Sequence, residues 1–125
     1  MGYSDDRETF TATIAGGASL SGAVKLGGLS LVGMTLGATF DATTTNVQFL
    51  VSIDDTTYNI LKNNAGNPIF VTVAASNTNK ATPLDPAEFA AWSSVKIGTY
   101  KTNGSSVQTQ TASTVFTLIA AKVTG

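Results

Sequence analysis

The sequence predicts an all-β fold, a single-domain β-sandwich of about eight strands with jelly-roll-like connectivity. Apolar and polar residues alternate in short runs of strand length, which is the period of a half-buried strand. Turn-forming residues separate these runs, and threonine, whose branched side chain suits a pleated sheet, is abundant. A chain of 125 residues is long enough for one domain with its own core.

The first strands follow one another closely. Alternation begins at residues 10–14 and continues through residues 18–26, which we interpret as a half-buried strand rather than a membrane segment. Gly27 and Gly28 then suit the positive φ angles of a two-residue primed turn, which predicts a hairpin. The phase of the alternation slips near Gly33, and this slip predicts a β-bulge.

Residues 47–53 are apolar on one face, and Leu50 adds apolar surface to the other face. This pattern predicts a central strand that is covered on both sides. The remaining strands are predicted in the apolar runs at 58–61, 69–74, 93–100 and 113–123.

A helix is predicted once, in the sequence LDPAEFAAW. Asp85 can cap it and Pro86 suits its first position, so we expect a short helix near 86–92. Phe89 and Trp92, three residues apart, would then lie on one side of it.

The composition excludes several kinds of chemistry. The chain has no cysteine and no histidine, so thiolate nucleophiles, cysteine metal sites and the commonest general base are all missing. The formal net charge is -1 and only 12% of residues are charged, which offers no electrostatic footprint for nucleic acid. We therefore expect a binding or assembly protein, with no catalytic residues, no cofactor, no metal, no nucleic-acid partner and no membrane partner.

The paired carboxylates Asp54 and Asp55 lie between two predicted strands, where they can form a hairpin corner. A calcium site is the alternative, but it needs six to eight oxygen ligands and few are nearby. Acid/base catalysis is a further alternative, although adjacent residues in a strand-like corner point apart. The corner is the interpretation that the residues favour.

Three aromatic residues offer a second hypothesis. Tyr58, Trp92 and Tyr100 would suit a platform on which sugar rings stack. The alternative is that Trp92, at the end of a short capped helix beside Phe89, is a core residue.

Two polar segments are candidate tethers. The first ten residues, MGYSDDRETF, are polar and acidic, unlike a secretory signal. We expect residues 1–9 to form a flexible N-terminal arm and residues 10–125 to form the β-sandwich domain. Residues 101–113 are too long for a tight turn and would be either mobile or ordered against a partner. The expected partner-binding residues in these two segments are Tyr3, Asp5, Arg7, Asn103, Ser105 and Gln108.

The order of motifs resembles a known group of proteins. TATIAGGASLSGAVKLGGLSLVGMTL, VQFLVSIDDTTYNIL, LDPAEFAAWSSVKIGTY and the closing VFTLIAAKV follow one another as in small β-sandwich virion proteins of tailed bacteriophages. The resemblance runs from about Phe10 to Val123. In that group a hairpin has the form strand, Ser-x-Asp-Gly, strand, and here Ser52 and Asp54 match while Asp55 replaces the glycine.

The resemblance implies a structural role in the virion. A capsid decoration or cement protein would bind and stabilise the shell at the capsid surface, after synthesis in the cytoplasm of the bacterial host. The implied partners are the major capsid protein or other virion proteins, and analogy with other cement proteins implies a homo-oligomer such as a trimer. The alternative is a carbohydrate-binding or tail- or baseplate-associated jelly-roll module.

Overall fold

A computed structural model describes the backbone of residues 2–36, 40–73, 80–101 and 106–124, and the side chains of these residues except 2–6, 123 and 124. The secondary structure is almost entirely strand, with one short helix. The elements are β1 (Gly2–Ile14), β2 (Val24–Lys25), β3 (Ser30–Leu36), β4 (Thr44–Ser52), β5 (Asn59–Ile60), β6 (Phe70–Thr72), β7 (Lys80–Pro83), α1 (Pro86–Phe89), β8 (Ser94–Lys101) and β9 (Thr114–Thr124).

The strands form two antiparallel sheets. The four-stranded sheet has the order β1, β9, β3, β7, and the five-stranded sheet has the order β2, β8, β4, β5, with β6 also paired to β4. β5 and β6 pair with successive parts of β4, so they act as one edge strand that residues 62–68 interrupt. β1 thus pairs with β9, β2 with β8, β3 with β7, and β4 with β5 and β6. This pairing is that of a jelly roll and confirms the predicted fold.

The core lies between the two sheets. Alternate residues of the central strands point into it and are fully buried, as the period of two requires. Burying each large apolar side chain contributes about 1.5–3 kcal/mol. The innermost residues include Val47, Phe49, Val95, Ile97, Phe116 and Leu118.

Helix α1 begins as its sequence predicts. The Asp85 carboxylate accepts a hydrogen bond of 3.0 Å from the Ala87 N–H, and Pro86 occupies the first position. The helix ends at Phe89, earlier than the predicted limit of 92, and Phe89 is completely buried.

The turn at Gly27 and Gly28 has the predicted conformation, with φ angles of 60° and 85° and a 3.0 Å hydrogen bond from the Leu29 N–H to the Leu26 carbonyl. The predicted hairpin, however, is wrong. β2 pairs with β8, whereas β3 pairs with β9 and β7, so the turn carries the chain from one sheet to the other. The turn is set by local backbone preference, but the sheet partner is set by long-range pairing.

The strand predicted for residues 18–26 is mostly irregular. Only Val24–Lys25 is strand, together with a single bridge between Leu20 and Gly98. Leu20 is 38% exposed. Ser21 is buried, and its Oγ accepts a 2.8 Å hydrogen bond from the Ile97 N–H. The bulge expected near Gly33 is confirmed, since the β3 to β9 register shifts between Leu31 and Gly33.

The N-terminal segment pairs with the sandwich. Residues 2–9, which sequence analysis assigned to an arm, belong to β1, and residues 7–9 pair in order with Ala121, Ala120 and Ile119 of β9. Period-two alternation starts only at residue 10, so local pattern did not indicate this pairing. Within the described ranges, no helix is long and apolar enough to cross a membrane.

Candidate functional site

The outer face of the five-stranded sheet carries large apolar side chains that the sandwich leaves uncovered. Phe70 is 55% exposed and Val107 is 53% exposed. Both lie opposite outward-pointing residues of the sheet, Phe70 opposite Gln48 and Val107 opposite Tyr100. We call this surface the docking face; its exposed apolar members are Leu20, Ile60, Phe70 and Val107, and the half-buried Leu50 and the buried Tyr100 lie between them on the same face.

Gly98 makes the centre of the docking face continuous. A Cβ atom at Gly98 would lie 3.1 Å from Tyr100 Cε1 and 3.6 Å from Leu20 Cδ1. The Tyr100 ring therefore packs over the glycine, next to Leu20, in space that a larger residue would need. Burial leaves Tyr100 5% exposed and raises the pKa of its hydroxyl group.

The polar residues of the docking face are satisfied within the protein. Asn46 and Gln48 on β4 are buried, and Gln48 Nε2 donates a 3.0 Å hydrogen bond to Asn46 Oδ1. Among the described side chains, no buried polar atom is without a partner. The buried polar groups of the face therefore need no water or small ligand to complete their hydrogen bonds.

The strands beneath the docking face contain lysines and no carboxylate, and the Asp55 carboxylate lies at one end of the sheet, beside Ser93 and Ser94. None of the five strands of this sheet contains an aspartate or a glutamate. Lys96 points outward from β8, with Nζ 4.3 Å from the centroid of the Tyr58 ring, and the Tyr58 hydroxyl lies 2.8 Å from Ser94 Oγ. Lys80 Nζ donates a 3.0 Å hydrogen bond to the Thr72 carbonyl at the edge of the sheet. A partner with apolar residues and acidic neighbours would complement this surface.

The structure does not gather the predicted partner-binding residues into one place. Arg7 is exposed in β1 and lines a shallow depression on the four-stranded sheet with Val32, Gly33 and Ile119. Gln108 is half-buried beside the other sheet, where its N–H donates a 2.8 Å hydrogen bond to the Thr99 carbonyl. Asn103, Ser105 and the side chains of Tyr3 and Asp5 lie outside the described residues.

The described part of the 101–113 loop is packed against the body of the protein. Gln110 is 1% exposed; its Oε1 accepts a 3.0 Å hydrogen bond from the Asp41 N–H, and its Nε2 donates a 2.9 Å bond to Thr44 Oγ1. Thr111 Oγ1 donates a 2.9 Å hydrogen bond to Asp41 Oδ2. Residues 106–113 are thus tied to the start of β4, although their composition is that of an ordinary loop and gave no signal of this.

The three candidate stacking residues do not form one platform. Tyr58 packs beside Lys96 at one end of the docking face, while Tyr100 lies four residues further along β8, about 13 Å away at the rise of a β-strand. Trp92 is elsewhere: it is half-buried against the core, and its indole N–H donates a 3.0 Å hydrogen bond to the Glu88 carbonyl. Trp92 is therefore a partly buried residue at the margin of the core.

Trp92 nevertheless lines two clefts with its exposed surface. One cleft lies between α1 and the loop after β5 and contains Lys62, Asn64 and Glu88. Desolvation, and then the charge of Asp85, raises the pKa of Glu88. The second cleft contains Asp54, Thr57 and Asn59.

Asp54 forms the corner that the sequence predicts. Its Oδ1 accepts hydrogen bonds from the Thr57 N–H at 2.8 Å, the Thr56 N–H at 2.9 Å and Ser52 Oγ at 2.9 Å. These bonds, chiefly those from Thr57 and Thr56, lower the pKa of Asp54.

Asp55 adopts the left-handed conformation that the corner requires, with φ of 61°, and its Oδ1 accepts a 2.8 Å hydrogen bond from Ser93 Oγ. Hydrogen bonds from Ser94 and Ser93 lower its pKa. Within the described part of the chain, no group of three or more acidic, histidine or cysteine residues is placed to hold a metal ion.

The strand pairing and the docking face together define this chain as a jelly-roll β-sandwich with an exposed apolar sheet face. No protein-family model matches the sequence. No curated protein matches it either.

Two of the solved structures that are similar to this chain are of comparable length. The crystal structure of the SPBc2 prophage-derived protein YomS is 16% identical in sequence, covers 93% of each chain and gives a TM-score of 0.53. The Yersinia pseudotuberculosis-derived mitogen is 12% identical, over 96% of this chain and 88% of its own. Its TM-score of 0.36 is too low to indicate a common fold. At such identity, the similarity to YomS concerns the fold alone.

Proposed function

We propose that this chain is a structural virion protein of a tailed phage, a capsid decoration protein that binds the shell through the docking face. The observation that carries the proposal is the set of exposed apolar side chains, Leu20, Ile60, Phe70 and Val107, on one face of a sheet whose strands contain no acidic residue. The similarity of the fold to a prophage-derived protein supports the phage origin.

The docking face has the properties of a protein-binding surface. Single exposed apolar residues are normal on any protein, but several on the same face indicate an interaction site. Here Phe70, Ile60, Leu20 and Val107 come together from separate segments of the chain on one face. Each of them is hydrogen-bonded to the sheet through a short edge strand or a single bridge, and an exposed aromatic residue such as Phe70 is a typical binding hot spot.

The lysines near the docking face suggest the partner's chemistry. The lysines beside the apolar residues favour a surface with apolar side chains flanked by aspartate or glutamate. On a capsid, we propose that this partner is the major capsid protein or another virion protein. The decoration protein would be made in the cytoplasm of the bacterial host and would act at the capsid surface as a homo-oligomer such as a trimer.

The proposed role is non-catalytic. The hydrogen bonds that lower the pKa values of Asp54 and Asp55 favour their ionised forms. Such carboxylates are poor proton donors at neutral pH, and they act instead as hydrogen-bond acceptors that hold the corner.

The test is the copy number of this protein per purified virus particle, measured by quantitative mass spectrometry against the major capsid protein. Particles are then assembled with two variants, Phe70→Asp and Ile53→Asp. Ile53 is the matched control because it is 74% exposed but lies at the Asp54 corner, outside the docking face.

We expect hundreds of copies of the wild type per particle, a loss of at least about tenfold in occupancy for Phe70→Asp, and wild-type occupancy for Ile53→Asp. A few to a few dozen copies would place the protein on the tail, and absence from particles would overturn the virion role. Equal loss for both variants would refute the docking face as the binding surface.

A second candidate function is carbohydrate binding, as a free or tail-associated module. The observation that favours it is the position of Trp92 between two clefts, one containing Glu88 and Asn64 and the other Asp54 and Asn59. Indole faces stack on sugar rings, and carboxylates and amides bond their hydroxyl groups. Titration with a panel of glycans should shift the fluorescence of Trp92, the single tryptophan, if this function holds. No shift with any glycan would reject it.

A further inference from the structure

The four edges of the two sheets differ in how well they are protected from pairing with another chain. β2 has two residues, one of them Lys25, and β7 contains Pro83, which has no N–H to donate. The edge formed by β5 and β6 is interrupted by residues 62–68. β1, by contrast, is a strand of 13 residues at the edge of the four-stranded sheet, and from Arg7 to Ile14 its pairing with β9 has no register shift.

Residues 9–14 of β1 are the least protected part of this edge. Their sequence, TFTATI, contains no charge, proline or glycine and is rich in β-branched residues. Among the described residues, these six pair only with β9, so the opposite side of the strand presents its backbone N–H and C=O groups outward. An uncharged edge of this length is a template for another strand.

We propose that residues 9–13 pair antiparallel with the same residues of a second copy of this chain, about a two-fold axis at Thr11, with Ile14 opposite Glu8 at each end of the paired segment. The pairing would join two four-stranded sheets into one continuous sheet of eight strands. It goes beyond the proposed virion role, because it concerns the purified chain in solution.

The side-chain pattern of the segment matches itself in this arrangement. Thr9, Thr11 and Thr13 point outward, whereas Ala12 and Ile14 point into the core. Antiparallel pairing about Thr11 places Thr9 opposite Thr13 of the second copy, and Phe10 opposite Ala12. Threonine thus meets threonine and apolar meets apolar, which are favourable cross-strand pairs.

The positions of the charged residues favour antiparallel over parallel pairing of the two copies. The acidic positions 5, 6 and 8 would lie opposite residues 14–17 of the second copy, whose sequence IAGG is uncharged. A parallel arrangement in register would instead place like charges opposite one another, which destabilises a strand pair. An isologous antiparallel contact closes on itself and yields a dimer rather than a filament.

The docking face remains open in this dimer, because it belongs to the other sheet. A variant that loses the dimer therefore keeps the proposed capsid-binding surface. A result that refutes the dimer would therefore leave the virion proposal standing, and a result that refutes the virion role would leave the dimer proposal standing.

The test is sedimentation velocity over a range of concentrations with Thr11→Lys and Thr117→Lys. Thr117 is the matched control because it lies directly opposite Thr11 in register, on the same face, but in the interior strand β9. Thr11→Lys would place two like charges together at the two-fold axis. We expect the dimer dissociation constant to rise at least about fivefold for Thr11→Lys and to stay within about twofold for Thr117→Lys.

A second measurement uses the absence of cysteine from the chain. Thr11→Cys should form a disulfide-linked dimer on mild oxidation, since the two residues meet at the axis, whereas Thr117→Cys should not. A monomer at all concentrations, equal crosslinking of both cysteine variants, or equal weakening by both lysine variants would overturn the proposal.

Discussion

Phe49 on β4 and Phe89 on α1 pack edge to face, with ring centroids 5.1 Å apart and ring planes at 82°. The same helix is bound to the other sheet, because Ser30 Oγ at the start of β3 donates a hydrogen bond to the Pro86 carbonyl. One helical turn therefore joins the two layers of the sandwich and closes the core at this end.

Replacing Phe89 by alanine should destabilise the protein by about 3–5 kcal/mol, because the fully buried ring leaves a cavity and loses its contact with Phe49. Chemical denaturation followed by circular dichroism measures the change. Phe70→Ala is the control of the same chemistry at an exposed site, and its cost should be within about 0.5 kcal/mol. Equal costs for the two variants would contradict the closing role of α1.

Alanine at Gly27 or Gly28 should each cost about 1–2 kcal/mol, because both residues adopt positive φ angles that a side chain disfavours. A Cβ atom added at either glycine would meet no other atom within 4 Å, so the cost is that of the backbone alone. Gly22→Ala is the matched control: its position is equally open but its φ is not positive, so stability should be unchanged. Thermal melting of the three variants distinguishes these outcomes.

The protein should lose stability in acid through the corner at Asp54. Hydrogen bonds lower the pKa of Asp54 in the folded state below its ordinary value of 3.8. The stabilisation is therefore present above pH 3.8 and is lost as the pH falls through the folded-state pKa. Asp54→Asn, which has no charge to lose, should be less stable than the wild type at neutral pH. Its melting temperature should fall less between about pH 7 and about pH 2.5. A fall as large as that of the wild type would show that other groups control the acid response.

Trp92 should contribute to stability through both packing and its hydrogen bond to the Glu88 carbonyl. Trp92→Phe removes the indole N–H and should cost about 1–2 kcal/mol, while Trp92→Ala should cost about 3–5 kcal/mol. Urea denaturation of both variants gives the two contributions. A cost below about 0.5 kcal/mol for alanine would favour a ligand-binding role for this residue over a core role.

Features that depend on neighbouring residues were predictable from the sequence. The Asp85 cap and Pro86 start α1, the glycines at 27 and 28 form the turn, and the bulge occurs near Gly33. The corner at Asp54 belongs to this group as well, since its hydrogen bonds come from residues two and three positions away. Each of these features depends on the backbone dihedral angles of a few adjacent residues. The local sequence is therefore enough to predict it.

The sequence by itself determined the fold class, the helix and the turns, because periodicity and capping are local properties of the chain. Only the tertiary structure decided that the Gly27 turn changes sheets, that Gln110 is buried, and that residues 2–9 join β1. The same holds for the docking face, where Leu20, Phe70 and Val107 lie on one side of a sheet although they are far apart in the sequence. Strand pairing in a jelly roll joins the first strand to the last. The energy of such long-range contacts depends on residues far apart in the chain, so no short stretch of sequence predicts it.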